Sequence, residues 1–426
     1  MVTFKTDKTF ALDLDRRDPL AHYRDRFHLP QSKEGHPCLY FCGNSLGLQP
    51  KTAAEYINQE LQDWADLGVE GHFSARHPWL PYHEYLTEQT ARLVGALPSE
   101  VVVMNTLTVN LHLMLVSFYR PTVTRHKILM EANAFPSDQY AVQSQIRYHG
   151  YDPATAIVEI PLRPDEPCLK TEEIEDLIAQ EGDAIALILL GGVNYYTGQA
   201  FDLERIVRTG HEKKCVVGFD LAHAVGNLVL HLHDWQVDFA VWCSYKYLNG
   251  GPGCMAGCFV HEKYAHRQDL PRFAGWWGHD KDTRFLMRPD YHAIPGAEGW
   301  QLSNPPILSL AALRASMDIF DEATLPALRV KSENLTGYLE FLLKQQCSDF
   351  VTILTPDDKS QRGCQLSLSI VKQGKQLHQR LEAHNIRCDW REPDVIRIAP
   401  VPLYNRFQEV YDFVQILIQE YRLLTH

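Results

Sequence analysis

The sequence contains no long apolar run, no recognisable secretion signal and no repeated or low-complexity segment. No stretch reaches the roughly 20 apolar residues that a membrane-spanning helix needs. The N-terminal stretch MVTFKTDKTFALDLDRRDPL is charged throughout and lacks the apolar core and small-residue cleavage site of a signal peptide. These absences predict a cytoplasmic protein with no membrane partner.

Paired metal-binding or disulfide motifs are also missing. The ten cysteines are scattered without a CxxC pair, which is typical of reduced thiols in a cytosolic protein. Cys254 and Cys258 lie four apart, and we interpret them as core thiols. The twenty histidines form no HExxH motif, so we predict no metal site. The formal net charge of -12 argues against a nucleic-acid partner and favours a small molecule or another subunit.

Short apolar segments alternate with amphipathic ones through most of the chain. A helix is predicted for KTAAEYINQELQDWADLG, because its apolar residues follow the helical period and a glycine ends it. Strands are predicted for VVVM, KILME, AIVEIPL, AIALILL, CVVGFD, DFAVWCS and GCFVHE. Such alternation predicts an α/β fold with a mostly parallel central sheet that is covered on both faces.

The pattern changes after SNPPI (303–307). Two long helical stretches, strands around CQLSLSIV and VIRIAPV, and a closing helix predict a smaller α+β C-terminal domain. We therefore predict three parts: residues 1–45 as an N-terminal segment that packs on the small domain, residues 46–305 as the large domain, and residues 306–426 as the small domain.

Two charged residues stand at the ends of apolar strands. Lys246 lies in WCSYKYLNGGPG and Asp220 ends CVVGFD. A buried charge needs a partner, and ligands gather at the carboxyl edge of such sheets. A helix N-cap is one alternative for Asp220, and an ion pair between the two residues is another. A lysine that can lose its proton and an aspartate close by are also what pyridoxal phosphate requires.

A phosphate site would complete that interpretation. Leu107 and Thr108 begin the helix after VVVM, and backbone N–H groups at a helix start bind phosphate. Ser244 and Tyr245 flank the lysine, and the NGGPG turn allows close approach of the backbone. Phe135 at another strand end could stack on a cofactor ring, with a core phenylalanine as the alternative.

At this point seven motifs resemble one family. They are NTLTVNLHLML, AFPSDQYA, VGFDLAHAVGN, CSYKYLNGGPG, GWWGH, SNPPI and IRIAPVPLYN, in the expected order from about Gly43 to about Asn405. They resemble the kynureninases, fold-type-I pyridoxal-phosphate enzymes related to class V aminotransferases. The resemblance covers nearly the whole chain and implies the fold-type-I transferase-like architecture.

The resemblance implies a role for each matching position. Lys246 would form the Schiff base with pyridoxal 5'-phosphate, Asp220 would pair with the pyridine nitrogen, and His223 would support that pair. Tyr245 and Lys246 would be the candidates for proton transfer. The implied cofactor-contacting set is completed by Leu107, Thr108, Phe135, Pro136, Ser137, Asp138, Trp276 and Asn304. Trp276 and Asn304 would come from a partner subunit, which implies a homodimer with shared active sites.

The resemblance also implies how substrate is bound. Arg397 would hold the substrate α-carboxylate, with an ion pair to Asp394 as the alternative. His72 and the Ser303-Asn304 pair resemble the subgroup that favours 3-hydroxykynurenine, although an ordinary loop histidine is the alternative for His72. One departure is Gly191, because animal relatives carry serine there, so no cofactor contact is expected from a side chain at this position.

The implied activity is hydrolysis of L-kynurenine, of 3-hydroxy-L-kynurenine or of both, giving L-alanine and anthranilate or 3-hydroxyanthranilate. Tryptophan catabolism or NAD biosynthesis would be the setting. A cysteine desulfurase or a class V aminotransferase is the alternative within the fold. A desulfurase needs a reactive thiol on a mobile loop, whereas Cys347, Cys364 and Cys388 lie in or beside predicted regular elements. A scaffold without catalysis is the remote alternative, and the presence of both Lys246 and Asp220 weighs against it.

Overall fold

The computed structural model describes residues 3–163 and 166–425. Its strands are β1 (Leu39–Tyr40), β2 (Val101–Met104), β3 (Lys127–Glu131), β4 (Ile157–Ile160), β5 (Ile185–Gly191), β6 (Val216–Asp220), β7 (Phe239–Trp242), β8 (Ala256–Val260), β9 (Val351–Ile353), β10 (Leu366–Ile370), β11 (Ile386–Arg387), β12 (Asp389–Arg391) and β13 (Val395–Ile398). Its α-helices are α1 (Lys8–Arg17), α2 (Ala53–Leu67), α3 (Gly71–Ser74), α4 (Thr87–Val94), α5 (Leu107–Phe118), α6 (Pro136–Tyr148), α7 (Pro153–Ala156), α8 (Thr171–Glu181), α9 (Leu203–Glu212), α10 (Ile307–Ala323), α11 (Leu325–Gln346), α12 (Gly374–Ala383) and α13 (Phe407–Thr425).

A seven-stranded sheet forms the first core, in the order β2-β8-β7-β6-β5-β3-β4. Strand β8 runs antiparallel to both of its neighbours, and the other pairs in the sheet are parallel. The prediction of a mostly parallel sheet is therefore confirmed. Strands β2, β7 and β8 are buried along their whole length, which explains why the sequence shows continuous apolar runs here and no alternation.

A second core lies in the C-terminal part. Its antiparallel sheet has the order β12-β13-β10-β9 and packs with apolar residues of α11, α12 and α13. Helix α1 contributes Ala11 to this core. Helix α10 instead contributes Leu310 and Leu313 to the core of the large sheet. This is the predicted α+β architecture, and the division at residues 45 and 305 stays a prediction.

The helix predicted around residues 50–68 forms as α2 and ends at Gly68, whose φ of 55° is a left-handed value that glycine tolerates. Its apolar stripe is only partly covered: Ile57 packs against the core of the large sheet, whereas Leu61 is 40% exposed and Trp64 is 63% exposed. The helical period was therefore correct, while the part of the stripe at Leu61 and Trp64 remains exposed in the single chain. Within the described ranges, no helix combines the length and the apolar character that a membrane crossing needs.

The topology brings polar strand ends together. Strands β3, β5 and β6 are parallel neighbours, and Gly191 at the end of β5 lies in register with Asp220 at the end of β6. The backbone N–H of Gly192 donates to the Asp220 carbonyl over 2.8 Å, which fixes the two ends against each other. Glu131 ends β3 on the same edge. The edge therefore gathers two carboxyl side chains from separate parts of the chain.

We expect Gly257→Ala to destabilise the large sheet. A Cβ at Gly257 would overlap the indole ring of Trp242, which is 1% exposed on the neighbouring strand. Overpacking of this kind costs about 1–3 kcal/mol, measured as the free energy of unfolding in urea. The control is Gly337→Ala in α11, where the new Cβ would meet its nearest atoms at 3.4 Å. Equal stability of the Gly257→Ala protein and the parent would contradict the packing described.

Candidate active site

A pocket opens at the carboxyl edge of the large sheet. Most of the cofactor residues named from the sequence line it: Leu107, Thr108, Phe135, Ser137, Asp138, Asp220, His223, Tyr245 and Lys246. Its wall also includes Glu131, Gly191, Val193, Tyr195 and Ala222, which the sequence did not single out as contributors. Pro136 begins α6 beside them and is not part of the lining.

Lys246 lies in the turn that follows β7 and is half-buried. Its Nζ is 3.0 Å from His223 Nε2 and 5.8 Å from the centroid of the Phe135 ring. Burial, followed by the positive charge of Lys246, holds the pKa of His223 well below its usual value. The imidazole is therefore neutral, and its Nε2 accepts a hydrogen bond from the lysine.

Asp220 and Asp138 form a buried carboxyl pair. Asp220 Oδ1 accepts a hydrogen bond from the Ala222 N–H over 2.8 Å. Burial raises the pKa of Asp138 well above its usual value, and the nearby negative Asp220 raises it further. Burial also raises the pKa of Asp220, while the Ala222 N–H, Lys246 and the hydrogen bond with Asp138 oppose that shift. Asp138 therefore keeps the proton and donates it to the Asp220 carboxylate.

The helix N-cap considered for Asp220 is wrong, because the residues after it form turns and no helix begins there. The Asp220 side chain reaches only the N–H of Ala222 within this turn. The position is thus better suited to a bound cation or protonated ring nitrogen than to a structural cap.

The N-terminus of α5 forms one end of the pocket. The side chain of Thr106, its N-cap residue, makes no capping hydrogen bond, so the first backbone N–H groups, including those of Leu107 and Thr108, lack that partner. The Thr108 Oγ1 and Ser137 Oγ hydroxyls are 2.9 Å apart beside it. Open N–H groups with hydroxyls are a suitable phosphate site.

Phe135 presents an aromatic ring to the pocket. The side chain is 43% exposed, so the alternative of a core phenylalanine is wrong. Tyr195 contacts its edge, with the ring centroids 5.2 Å apart and the planes at 80°. This contact fixes the ring while one face remains open toward Lys246.

These features fit pyridoxal phosphate. Besides the lysine, the carboxylate and the phosphate cradle, two buried polar atoms of the lining have no hydrogen-bond partner among the described residues, His223 Nδ1 and Asp138 Oδ1. Buried atoms of this kind normally have partners. A polar ring bound in the pocket would supply them.

Arg397 is almost fully buried, at 1% exposure. Its Nε and Nη2 donate to the carboxylate of Asp389, which lies directly opposite on β12, and its Nη1 donates to the Tyr195 carbonyl over 2.6 Å. Asp394 instead accepts from Ser369, so the predicted alternative of an Arg397–Asp394 pair is wrong. One N–H on each Nη remains, which is the geometry that grips a carboxylate with two parallel bonds.

Arg397 contacts the pocket lining through the Tyr195 carbonyl but is not itself part of the lining, and the other substrate and partner residues also lie outside the pocket in the single chain. Trp276 is 43% exposed and its Nε1 donates to the Arg284 carbonyl over 3.2 Å. Ser303 and Asn304 are exposed. His72 is half-buried in the short helix α3, with its ring edge-on to Trp79 at 5.5 Å between centroids.

The fold and the pocket together define a fold-type-I pyridoxal-phosphate enzyme. The model of the kynureninase C-terminal domain matches residues 328–417, and that of the DegT/DnrJ/EryC1/StrS aminotransferase family matches residues 81–233. Kynureninase of Koribacter versatilis (strain Ellin345) is 61% identical, and that of Myxococcus xanthus (strain DK1622) is 62% identical. Each match covers 97% of this chain and 97% of the relative. The chain belongs to the kynureninase family, so the expectations of a hydrolase and of pyridoxal phosphate as its cofactor are confirmed.

Cysteine desulfurases share the fold at much lower identity. The apo enzyme of Thermococcus onnurineus NA1 gives a TM-score of 0.74 at 16% identity over 98% of this chain and 99% of its own. Escherichia coli CsdA gives 0.77 at 15% over 95% and 98%. This likeness shows the fold alone. The three late cysteines are buried, and burial raises the pKa of Cys347 and Cys364 to about 12 and that of Cys388 well above its usual value, so none is a reactive loop thiol.

We expect Asp220→Asn and Asp138→Asn to differ sharply in cofactor affinity. Asp220→Asn removes the anion of the pair and should weaken binding on the order of 10- to 100-fold. Asp138→Asn keeps a donor toward Asp220, because the amide replaces a carboxyl that is already protonated, and should change affinity by less than about threefold. Equilibrium dialysis of the apoproteins with pyridoxal phosphate measures both. Equal losses in the two variants would contradict the assigned proton.

Proposed function

We propose that this chain hydrolyses L-kynurenine and 3-hydroxy-L-kynurenine, with Lys246, Tyr245 and Asp220 as its catalytic residues. The observation that carries the assignment is the convergence of Lys246, His223 and the Asp138–Asp220 pair in one pocket of a kynureninase-family chain. The products are L-alanine with anthranilate or 3-hydroxyanthranilate. Tryptophan catabolism is the setting, and NAD biosynthesis would use the hydroxylated product.

Each pocket residue has a separate task. Pyridoxal phosphate, when bound, supplies an electron sink that stabilises negative charge at the substrate α-carbon. Asp220, kept anionic by the proton on Asp138, would hold the ring nitrogen protonated. The open N-terminus of α5, with Thr108 and Ser137, would hold the phosphate. Phe135 would contact the ring.

Lys246 is the base that removes the α-proton, since its amine lies within the pocket beside a neutral imidazole. Burial raises the pKa of the Tyr245 phenol, so at neutral pH this side chain keeps its proton and can donate it. Water adds to the side-chain ketone, and the bond between the β and γ carbons then breaks. The γ carbon leaves as the aromatic acid, and the β carbon takes a proton from Tyr245 or Lys246 to become the methyl group of alanine.

Arg397 holds the substrate α-carboxylate through its remaining pair of N–H groups. Asp389 supports this proposal, because it occupies the opposite edge of the guanidinium and fixes the plane of the fork. The Tyr195 carbonyl fixes the same group from the large sheet. Asp389 and Tyr195 therefore act as positioning residues for the arginine.

A homodimer completes the site in this proposal. Apolar side chains that the described residues leave largely exposed lie on α2 and just after it, namely Leu61, Trp64, Val69 and Phe73, and around Trp276, namely Phe285, Leu286 and Met287. Exposed apolar clusters mark interaction surfaces. A second copy would cover them and bring Trp276 and Asn304 to the neighbouring pocket.

Substrate choice is assigned to His72, Ser303 and Asn304. Their polar groups can hydrogen-bond a ring hydroxyl, and a site built for such a bond discriminates against the substrate that lacks it. We therefore propose 3-hydroxykynurenine as the better substrate. We also propose a cytoplasmic location for the enzyme. This is supported by its scattered cysteines, which are free thiols in the described part of the chain.

The substrate preference and the role of Lys246 can be tested on the purified enzyme. The purified protein loaded with pyridoxal phosphate should release alanine and 3-hydroxyanthranilate from 3-hydroxykynurenine faster than it releases alanine and anthranilate from kynurenine. Lys246→Ala should lower both rates at least ~10³-fold, because the base is lost. The control is Lys375→Ala, whose side chain is 61% exposed in an ion pair with Glu392. A loaded enzyme that cleaves neither compound would overturn the assignment.

Mixed dimers test the shared site. Lys246→Ala and Asn304→Ala proteins should each be inactive or strongly impaired, because each lacks one part of every site. If the parts come from different subunits, unfolding and refolding the two proteins together should restore about a quarter of the native sites, since half of the random dimers carry one intact site. The measurement is the hydrolysis rate of the mixture against the separate proteins. No recovery, with dimers confirmed by sedimentation, would show that each pocket is complete within one chain.

A further inference from the structure

Glu131 is a carboxyl group of the pocket that the mechanism above does not use. It ends β3, is 5% exposed and forms part of the pocket wall. Its Oε2 accepts a hydrogen bond from the Gly191 N–H over 3.1 Å. The side chain is therefore fixed at the edge of the sheet between the ends of β3 and β5.

The space that this carboxyl group occupies depends on the glycine at position 191. A Cβ at Gly191 would lie 3.1 Å from Glu131 Oε1, closer than an ordinary van der Waals contact. Any larger side chain would press on the carboxyl group or displace it. The polar side chain at this place in the pocket is thus the carboxyl group of Glu131 on β3, since Gly191 on β5 carries no side-chain hydroxyl.

The charges around Glu131 decide its protonation. Among the titratable groups of the lining, Asp220 lies on β6 and Asp138 on α6, and the others are the neutral His223, the phenols of Tyr195 and Tyr245, and Lys246. Lys246 is the one cation in this lining. Three buried carboxylates beside one ammonium would be very unfavourable.

Burial raises the pKa of Glu131 to about 7, and the negative charge of Asp220 contributes in the same direction, while the Gly191 N–H opposes it. Lys246 lowers the pKa of Asp138 and of Asp220 but makes no such contribution at Glu131. Glu131 is therefore a group that holds a proton just below neutral pH and loses it just above.

We propose that Glu131 is a further cofactor-binding residue, which binds pyridoxal phosphate as the neutral carboxylic acid and weakens that binding when it ionises. A carboxylic acid can donate a hydrogen bond to an anionic ligand, whereas a carboxylate repels it. The inference rests on the proposed function only in taking pyridoxal phosphate as the ligand.

The test compares dissociation constants for pyridoxal phosphate at about pH 6 and about pH 8.5, one on each side of the transition. Equilibrium dialysis is done with the apo forms of the parent, of Glu131→Gln and of the control Glu159→Gln. Glutamine keeps an acceptor for the Gly191 N–H and cannot ionise. Glu159 is exposed on the neighbouring strand β4, in register with Met130, so it undergoes the same change outside the pocket.

The ratio of the dissociation constant at about pH 8.5 to that at about pH 6 should be at least about fivefold larger for the parent and for Glu159→Gln than for Glu131→Gln. Other groups that titrate contribute to every protein and cancel in the comparison. The same ratio of dissociation constants in all three proteins would overturn the proposal. So would a folded Glu131→Gln protein that binds at neither pH, because the neutral side chain is expected to support binding.

Thermal unfolding of the apoproteins gives a second, independent measure. A carboxyl group whose folded pKa is raised from 4.5 to about 7 destabilises the fold as pH rises between those values, and the full penalty remains above pH 7. The melting temperature of Glu131→Gln relative to the parent should therefore rise from acidic to alkaline pH. A constant difference would overturn the assigned titration. Neither measurement uses kynurenine, so failure here and failure of the proposed hydrolysis are separate results.

Discussion

The proton between Asp138 and Asp220 is the interaction on which the pocket depends. Two buried carboxyl groups cannot both ionise at low cost. Burial and the negative Asp220 raise the pKa of Asp138, so we infer that Asp138 keeps the proton and stabilises the anion on Asp220. The anion is what a protonated ring nitrogen requires. The neutral His223 and the half-buried Lys246 are arranged around it. Asp138 is thus neutral in the pocket, and this allows Asp220 to remain charged.

The parallel sheet makes this arrangement possible. Residues far apart in the chain meet because the strands that carry them end at the same edge, with Gly191 and Asp220 in register. The turn after β7 then adds Lys246, and the open start of α5 adds the N–H groups proposed to bind the phosphate. Short turns after the strands assemble these groups, and the turns after β2, β3 and β7 each hold one asparagine in the left-handed region, namely Asn105, Asn133 and Asn249.

The sequence predicts much of this because its signals are local. Continuous apolar runs identify buried parallel strands, and a charged residue at the end of such a run identifies the functional edge. Glu131 carries that same signal at the end of KILME, and applying the rule evenly to every strand would have found it. Asp389 could not be found this way, because its relation to Arg397 depends on the antiparallel register of β12 and β13.

Two further features, the covering of the α2 stripe and the position of Trp276 and Asn304, depend on a second subunit and cannot be predicted from one chain. The apolar stripe of α2 follows the helical period, yet periodicity alone cannot say whether a protein core or a second subunit covers it, and in this chain Trp64 is left 63% exposed. The positions of Trp276 and Asn304 relative to a pocket likewise depend on a second copy. In both cases the sequence identifies the side chain, but it does not identify the residues that contact it.

The hydrogen bond from Arg397 to the Tyr195 carbonyl joins the two hydrophobic cores, because the arginine belongs to β13 and the carbonyl to the loop after β5. In the substrate-binding role proposed for Arg397, recognition of the amino-acid end of the substrate is linked to the relative placement of the two cores. A substitution in the C-terminal sheet that shifts the guanidinium would then change the Michaelis constant before it changed the turnover number, so substrate affinity would report how the two cores are joined.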